Sequence, residues 1–244
     1  MEWEKLFSAC PEAWNDLLVY PVLMRDYSLF LAVKDSILSA QQSWPFPWST
    51  AKYWDGLFGM GLIPRLCLML KLVFRLEERD GALPLFPKMN GEKLESLPVF
   101  QGEQTGVITA KNFGGLRELI ARQNGLELPD ETNNAELVEA KRYLAQQRTP
   151  PLKADFESLI YSVACALKTD PEELFNWTIR RFRATEQALD RSIGHLTASI
   201  TLAAGGKFKG GNPYPSWKYD REETGGFETL DALSKRVDGT IEAR

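Results

Sequence analysis

The chain has 244 residues, of which 44% are hydrophobic and 25% are charged. This composition is that of a globular protein with a sizeable core, and it excludes a largely disordered chain. The formal net charge is -4. That balance argues against a surface built throughout to hold a phosphate backbone, although it leaves room for a local basic patch.

Cysteine usage and hydropathy narrow the class of protein further. Cys10, Cys67 and Cys165 are odd in number and far apart, so they predict neither a disulfide framework nor a CxxC metal site. The opening residues, MEWEKLFSACPEAW, carry acids where a secretion signal needs basic residues. The most apolar window, 57–76, contains basic residues that would each cost about 2.5 to 3.5 kcal/mol at the centre of a bilayer. We therefore expect a cytoplasmic protein.

Residues 1–60 predict an N-terminal helical region. In the segment YPVLMRDYSLFLAVKDSILSA, apolar side chains such as Tyr27, Phe30 and Ile37 recur at spacings of three and four residues. Pro45 and Pro47 interrupt that pattern, and TAKYWDGLFGM predicts a further short helix.

Residues 61–108 predict a small antiparallel β insert. From Leu66 to Leu76, leucine or phenylalanine occupies every second position, which is typical of a strand. Asp80-Gly81 and Asn90-Gly91 are turn signals, and ALPLFP, SLPVFQ and GVITA are short strand candidates.

Residues 109–204 predict a second helical region. Thr109 can cap a helix that runs through KNFGGLRELIARQ, and a loop and helix follow in LPDETNNAELVEAKRYLAQQR. Asp170 before Pro171 is a strong helix start, because the carboxylate caps free amides and proline suits the first turn. A long helix is expected to end at Gly205.

The predicted class is therefore α+β. It comprises a mostly helical body with a small antiparallel β insert and an extended C-terminal arm. The arm, residues 205–244, is rich in glycine and aromatic residues and is expected to include a short helix.

The long helix carries a heptad pattern. Apolar residues step by three and four along it, with one polar interruption, at Ile179, Phe182, Glu186, Leu189, Ile193, Leu196, Ile200 and Ala203. We favour packing of this stripe in the protein's own helical core, since ordinary bundles show the same pattern. An intermolecular coiled coil is the alternative.

Motifs for catalysis are scarce. His195 is the chain's single histidine, so neither a multi-histidine metal site nor a conventional histidine-based hydrolase can be assembled. The sequence has no GxxxxGK[ST], GxGxxG, GxSxG or HExxH motif. Paired glutamates such as Glu77-Glu78 and Glu172-Glu173 lie at predicted element ends, where solvation or the helix dipole explains them. We expect no enzymatic activity, no cofactor and no metal.

The segment TLAAGGKFKGGNPYPSWKYDREE admits two interpretations. Lysines interleaved with aromatic residues over 207–219 are the combination that binders of single-stranded nucleic acid use. The acidic DREE that follows would repel phosphate. We favour a docking arm, which glycines allow to turn back after the helix and in which Trp217 and Tyr219 serve as anchors.

Several segments in order carry a family resemblance: YPVLMRDYSLF, a strand pair, ITAKNFGGLRELIARQNGLELPD, NWTIRRFRATEQALDR and GGKFKGGNPYPSWKYD. The chain resembles a group of phage-encoded tail-module proteins, in which "FdeiRxiIxxQN" and "FKGxxPxxWxY" segments end a helical body. Gly114-Gly115 departs from that pattern, where a more helix-favouring pair is usual, and this puts the continuity of that helix in question.

The resemblance implies a non-enzymatic protein of a tailed phage or phage-derived particle. It would be either a structural component of the tail or baseplate or an assembly chaperone, located in the host cytoplasm during assembly or in the virion. Its partners would be other tail-module proteins or copies of itself. A nucleic-acid-binding accessory protein is the alternative. The expected contact residues are Phe208, Tyr214, Trp217, Tyr219, Ile193, Leu196 and Ile200.

Overall fold

The computed structural model describes residues 9–78, 81–91, 93–129, 155–208 and 212–218. The chain divides into two compact units, Met1–Thr185 and Glu186–Arg244. Helices and two small antiparallel sheets make up the described structure, so the predicted α+β class is confirmed.

The described part of the first unit begins with a β-hairpin that the sequence analysis did not predict. Strand β1, Glu12–Trp14, pairs antiparallel with β2, Leu17–Val19. Asn15 takes a positive φ of 51° at the turn, a conformation that asparagine tolerates better than most residues. The purely helical prediction for residues 1–60 is therefore wrong here, because three-residue strands are too short to show a period of two.

The N-terminal helices follow the hairpin. Helix α1 spans Tyr27–Val33, α2 spans Asp35–Leu38 and α3 spans Tyr53–Gly59. Two short 3-10 turns also occur, at Met24–Asp26 and Gln41–Ser43.

The predicted strand from Leu66 to Leu76 is wrong, because this segment lies in helix α4, Ile63–Phe74. Nearly every residue there is apolar, so the sequence satisfies a helical period as well as a period of two. The side chains with no exposure follow helical spacing: Leu66, Met69, Leu70, Val73 and Phe74. Burial against α1, α2 and β2 selects the helix. Arg75, in the left-handed conformation, caps its end.

The antiparallel insert is confirmed, but it begins later than predicted. Strands β3 (Lys88–Asn90), β4 (Lys93–Gln101) and β5 (Gln104–Thr109) form a sheet in that order. In the β4–β5 register, Val99 lies opposite Gly106. A Cβ at Gly106 would lie 2.5 Å from Leu17 Cδ1, so the glycine lets β2 approach the sheet closely.

Helix α5, Phe113–Gln123, is continuous through Gly114 and Gly115. Nothing lies within 4 Å of a Cβ built at either glycine. Its N-cap is Asn112 rather than the predicted Thr109, and Asn112 Oδ1 accepts a hydrogen bond from Thr109 N (2.7 Å).

Three buried polar side chains, two in α5 and one at its C-cap, hold the first unit together. Asn124 Oδ1 accepts a hydrogen bond from Val22 N (2.9 Å), and Gln123 Nε2 donates to Val19 O (3.0 Å). Arg117 Nε donates to Ile37 O (3.0 Å). These residues belong to the RELIARQN segment that carries the resemblance. Their contacts are structural, since each satisfies backbone groups that burial would otherwise leave unpaired.

The remaining helices are α6 (Phe156–Leu167), α7 (Pro171–Leu174) and α8 (Ile179–Ala203). The predicted start at Asp170-Pro171 is confirmed, since the Asp170 carboxylate accepts a hydrogen bond from Glu172 N (2.9 Å). The helix predicted within LPDETNNAELVEAKRYLAQQR and the short helix predicted in the arm lie outside the described residues.

Among the described residues, no single helix is long and apolar enough to cross a membrane. Helices α3 and α4 reach that length and composition only as a pair, and they are bent by 117° relative to each other.

Candidate interaction surface

The heptad stripe of α8 changes character along the helix. Ile179 and Phe182 are 0% and 1% exposed, whereas Ile193, Leu196 and Ile200 are 59%, 62% and 61% exposed. The favoured prediction, that the stripe packs in the protein's own core, is therefore right at its start and wrong for these last three residues. We call Ile193, Leu196 and Ile200 the exposed seam.

The arm lies on another face of the same helix. A Cβ at Gly194 would come within 2.9 Å of the Tyr214 ring, so the ring rests on that glycine. His195 Nδ1 lies 2.9 Å from Tyr214 O, and Arg191 donates to Lys218 O at 3.3 Å. Because a helix turns every 3.6 residues, positions 191, 194 and 195 lie on roughly the opposite side from the exposed seam.

Two local turns shape the described part of the arm. Asn212 Oδ1 accepts a hydrogen bond from Tyr214 N (2.9 Å), and Ser216 Oγ accepts one from Lys218 N (3.1 Å). Both are side-chain turns of the kind that asparagine and serine favour. They present the Tyr214 ring and carbonyl group to α8 without any regular secondary structure.

A glycine reverses the chain between α8 and the arm. Gly205 has φ +85°, and Gly206 N donates to Thr201 O (2.8 Å). This is the left-handed ending that glycine allows at a helix C-terminus. The predicted stop at Gly205 is thus confirmed.

The predicted contact residues of the arm differ in how exposed they are. Tyr214 and Trp217 are 44% and 56% exposed, and Phe208 is half-buried. Lys218 Nζ lies 5.1 Å from the centre of the Trp217 ring. Tyr219 lies outside the described residues. Tyr214 and the Lys218 carbonyl group therefore contact α8, whereas Trp217 keeps most of its surface exposed.

Covering the exposed seam would release hydrophobic free energy. Fully burying a leucine or isoleucine is worth about 1.5 to 3 kcal/mol, so covering the exposed three-fifths of each side chain is worth about 1 to 2 kcal/mol. The helix that carries them is already formed, so a partner would meet a rigid surface at a small cost in entropy.

The described residues hold no group of three or more His, Cys, Asp or Glu side chains that could bind a metal ion. His195 contacts the arm rather than a nucleophile or an acid. Burial raises the pKa of the Cys67 thiol, which disfavours the reactive thiolate. In the Glu77-Glu78 pair, a hydrogen bond from Lys71 Nζ (2.6 Å) lowers the pKa of Glu78. Glu78 is therefore an ionised partner of Lys71 at the surface.

One open depression lies beside the β1–β2 turn. It is lined by Ala13, Asn15, Asp16, Leu17, Leu18 and Gln104. Asp16 is the ionisable side chain of this lining, and a single carboxylate without a basic or nucleophilic neighbour in the lining does not make an acid–base pair.

No protein-family model matches the chain, and no curated protein or solved structure is significantly similar to it.

Proposed function

We propose that this chain is a non-enzymatic protein of a tailed-phage tail module that acts through protein–protein contacts. It would serve as a structural component of the tail or baseplate or as an assembly chaperone for such parts. The observation that supports contact-making is the exposed seam, three large apolar side chains about 60% exposed on one face of a formed helix. The assignment to a tail module rests on the family resemblance of the sequence.

Physical reasoning favours a contact role for this surface. Isolated apolar side chains are normal at a protein surface, but a contiguous row of them is more often an interaction site. The seam residues are spaced by three and four along α8, so they form such a row. Trp217 adds a second exposed anchor of the residue type that most often dominates binding energy.

Co-purification tests this proposal. The full-length tagged chain would be expressed in cells that assemble the particle, in three forms: the native sequence, a seam variant Ile193→Asp/Leu196→Asp, and the control Leu202→Asp. Leu202 is 45% exposed on the same helix. Because a helix turns every 3.6 residues, it lies on roughly the opposite side from the seam. We expect mass spectrometry to identify tail-module proteins with the native chain and the control, and to show their loss with the seam variant.

The same preparations separate the alternatives. Presence of the chain in purified particles would identify a virion component, whereas presence only in the assembling cells would identify a chaperone. Recovery of no tail-module protein with the native chain would overturn the proposal.

Binding to labelled single-stranded oligonucleotides tests the alternative nucleic-acid role of residues 207–219. Lys218 and Trp217 are the described residues that favour it, because their cation–aromatic arrangement resembles a stacking site. Affinity that falls steeply with salt and is lost in Lys218→Ala/Trp217→Ala would favour that role over protein contacts. We expect no such binding.

A further inference from the structure

We infer that the partner of the exposed seam is a second copy of this chain, which packs its own α8 against it as a two-stranded helical pair. The inference rests on the proposed role of the seam as a protein-contact surface, and it names the occupant. Three properties of α8 support it.

The first property is the choice of side chain at each heptad position. With Ile193 and Ile200 at the a positions, Leu196 falls at d. A β-branched residue at a combined with leucine at d favours two-stranded association over higher orders. The seam therefore has the side-chain shapes of a helix pair.

The second property is the charge along the edges of the seam. The e and g positions beside the three seam residues hold Ser192, Thr197 and Ser199, which are exposed and uncharged. The charged Asp190, one e position earlier, would face the uncharged Thr185 of the other copy in a parallel pair. In coiled coils, charges at these positions select the partner. These edges therefore place no like charges opposite each other when two identical helices pair in parallel.

The third property is that the described part of the arm, residues 205–208 and 212–218, leaves the seam open. Tyr214 is seated on Gly194 and His195, on the other side of α8. A second α8 can therefore approach the seam without displacing residues 212–218. The Tyr214 ring packs on the α8 of its own chain, so it is not available to cover the α8 of a neighbouring copy.

The length of the seam sets the expected strength. From Leu189 to Ala203 the helix offers about two heptads, or roughly 20 Å. So short a helical pair is expected to dissociate on dilution, and the oligomeric state should depend on protein concentration.

Light scattering coupled to size-exclusion chromatography tests the inference on the full chain. The native protein, with a monomer mass of 27.6 kDa, would be measured between about 1 and 200 µM. We expect a monomer at the low end and a species of twice that mass at the high end. Ile193→Asp/Leu196→Asp should weaken the apparent dimer affinity by about tenfold or more. Leu202→Asp should leave it unchanged.

Circular dichroism of the dilute samples checks that the variants remain folded, and Leu196→Ala provides a milder change should the double variant misfold. A native chain that stays monomeric throughout, a dimer insensitive to both seam variants, or a trimer would each overturn the inference. These results are independent of co-purification with tail proteins. A monomer that still loses its tail partners in the seam variant would refute the second copy while supporting the proposed function.

Discussion

Helix α4 and the C-terminal half of α8 carry similar apolar stripes, but the first stripe is buried and the second is exposed. In α4, the stripe that includes Leu66 and Leu70 is fully buried by α1, α2 and β2. In α8, the stripe that ends in Ile193, Leu196 and Ile200 stays about 60% exposed. The contrast teaches that an amphipathic pattern predicts that a face will be covered, but the neighbouring elements determine whether the same chain covers it.

Matched Leu→Ala substitutions should give the largest difference between the two helices. Leu66→Ala should lower the free energy of unfolding by about 2 to 5 kcal/mol, because it leaves a cavity in the core. Leu196→Ala should change it by less than about 0.5 kcal/mol in dilute solution, since the side chain is already exposed. Urea denaturation at low protein concentration measures both. Equal losses would show that the seam is covered within the single chain.

Asn124 and Asn212 allow the same comparison for hydrogen bonds, since the first bond is buried and the second is exposed. Asn124→Ala should cost about 1 to 3 kcal/mol, because the buried Val22 N–H would lose its acceptor. In Asn212→Ala, water can replace the lost bond to Tyr214 N, since that contact is exposed. Thermal unfolding should therefore show a clear loss for the first variant and little change for the second. A comparable loss from Asn212→Ala would mean that the arm contributes to global stability.

Glycine replacements should have smaller effects of opposite kinds. Gly115→Ala should stabilise the protein by about 0.5 to 1 kcal/mol, because α5 has open space for the methyl group. Gly194→Ala should instead push the Tyr214 ring off α8, since the added Cβ would lie 2.9 Å from it. Limited trypsin digestion should then cut faster at Lys207. The control Gly194→Ala/Tyr214→Ala should be cut no more slowly than Gly194→Ala, and protection of the arm in Gly194→Ala would contradict the assigned contact.

The smallest expected effect concerns the first turn of α6. Hydrogen bonds from Ser158 lower the pKa of Asp155, so the ionised carboxylate stabilises the folded state. That contribution is present above the ordinary aspartate value of 3.8 and is lost as the pH falls through the lowered pKa. Asp155→Ala should therefore lower the Tm at neutral pH and match the native protein in acid. A difference in Tm that does not shrink as the pH falls below 3.8 would assign the effect to something other than the charge.

Local signals were sufficient where short-range chemistry determines the structure. Asp170 caps α7 as predicted, and Gly205 ends α8 in the left-handed conformation. The segments SLPVFQ and GVITA form paired strands. In each case, neighbouring residues supply the hydrogen bond, the backbone freedom or the alternation that the element needs.

The candidate surface was only partly predictable. The heptad pattern predicted Ile193, Leu196 and Ile200 as contact residues. The aromatic segment predicted Trp217 and Tyr219 as anchors of the arm, whereas the described aromatic ring that rests on α8 is Tyr214. The pattern could not show that Gly194 and His195 receive the arm, because neither glycine nor a lone histidine marks such a contact in sequence.

The sequence by itself determined the α+β class, the Asp170 cap, the end of α8 at Gly205, the β4–β5 hairpin and the spacing of apolar residues along α8, because these depend on residues close together in the chain. Only the tertiary structure decided that the run from Leu66 to Phe74 is helical, that residues 12–19 form a hairpin, and that the α8 stripe is buried at Phe182 but open at Leu196. The physical reason is that burial is a property of neighbours distant in sequence. An apolar row lowers its free energy against whatever surface reaches it, and its own residues do not specify that surface.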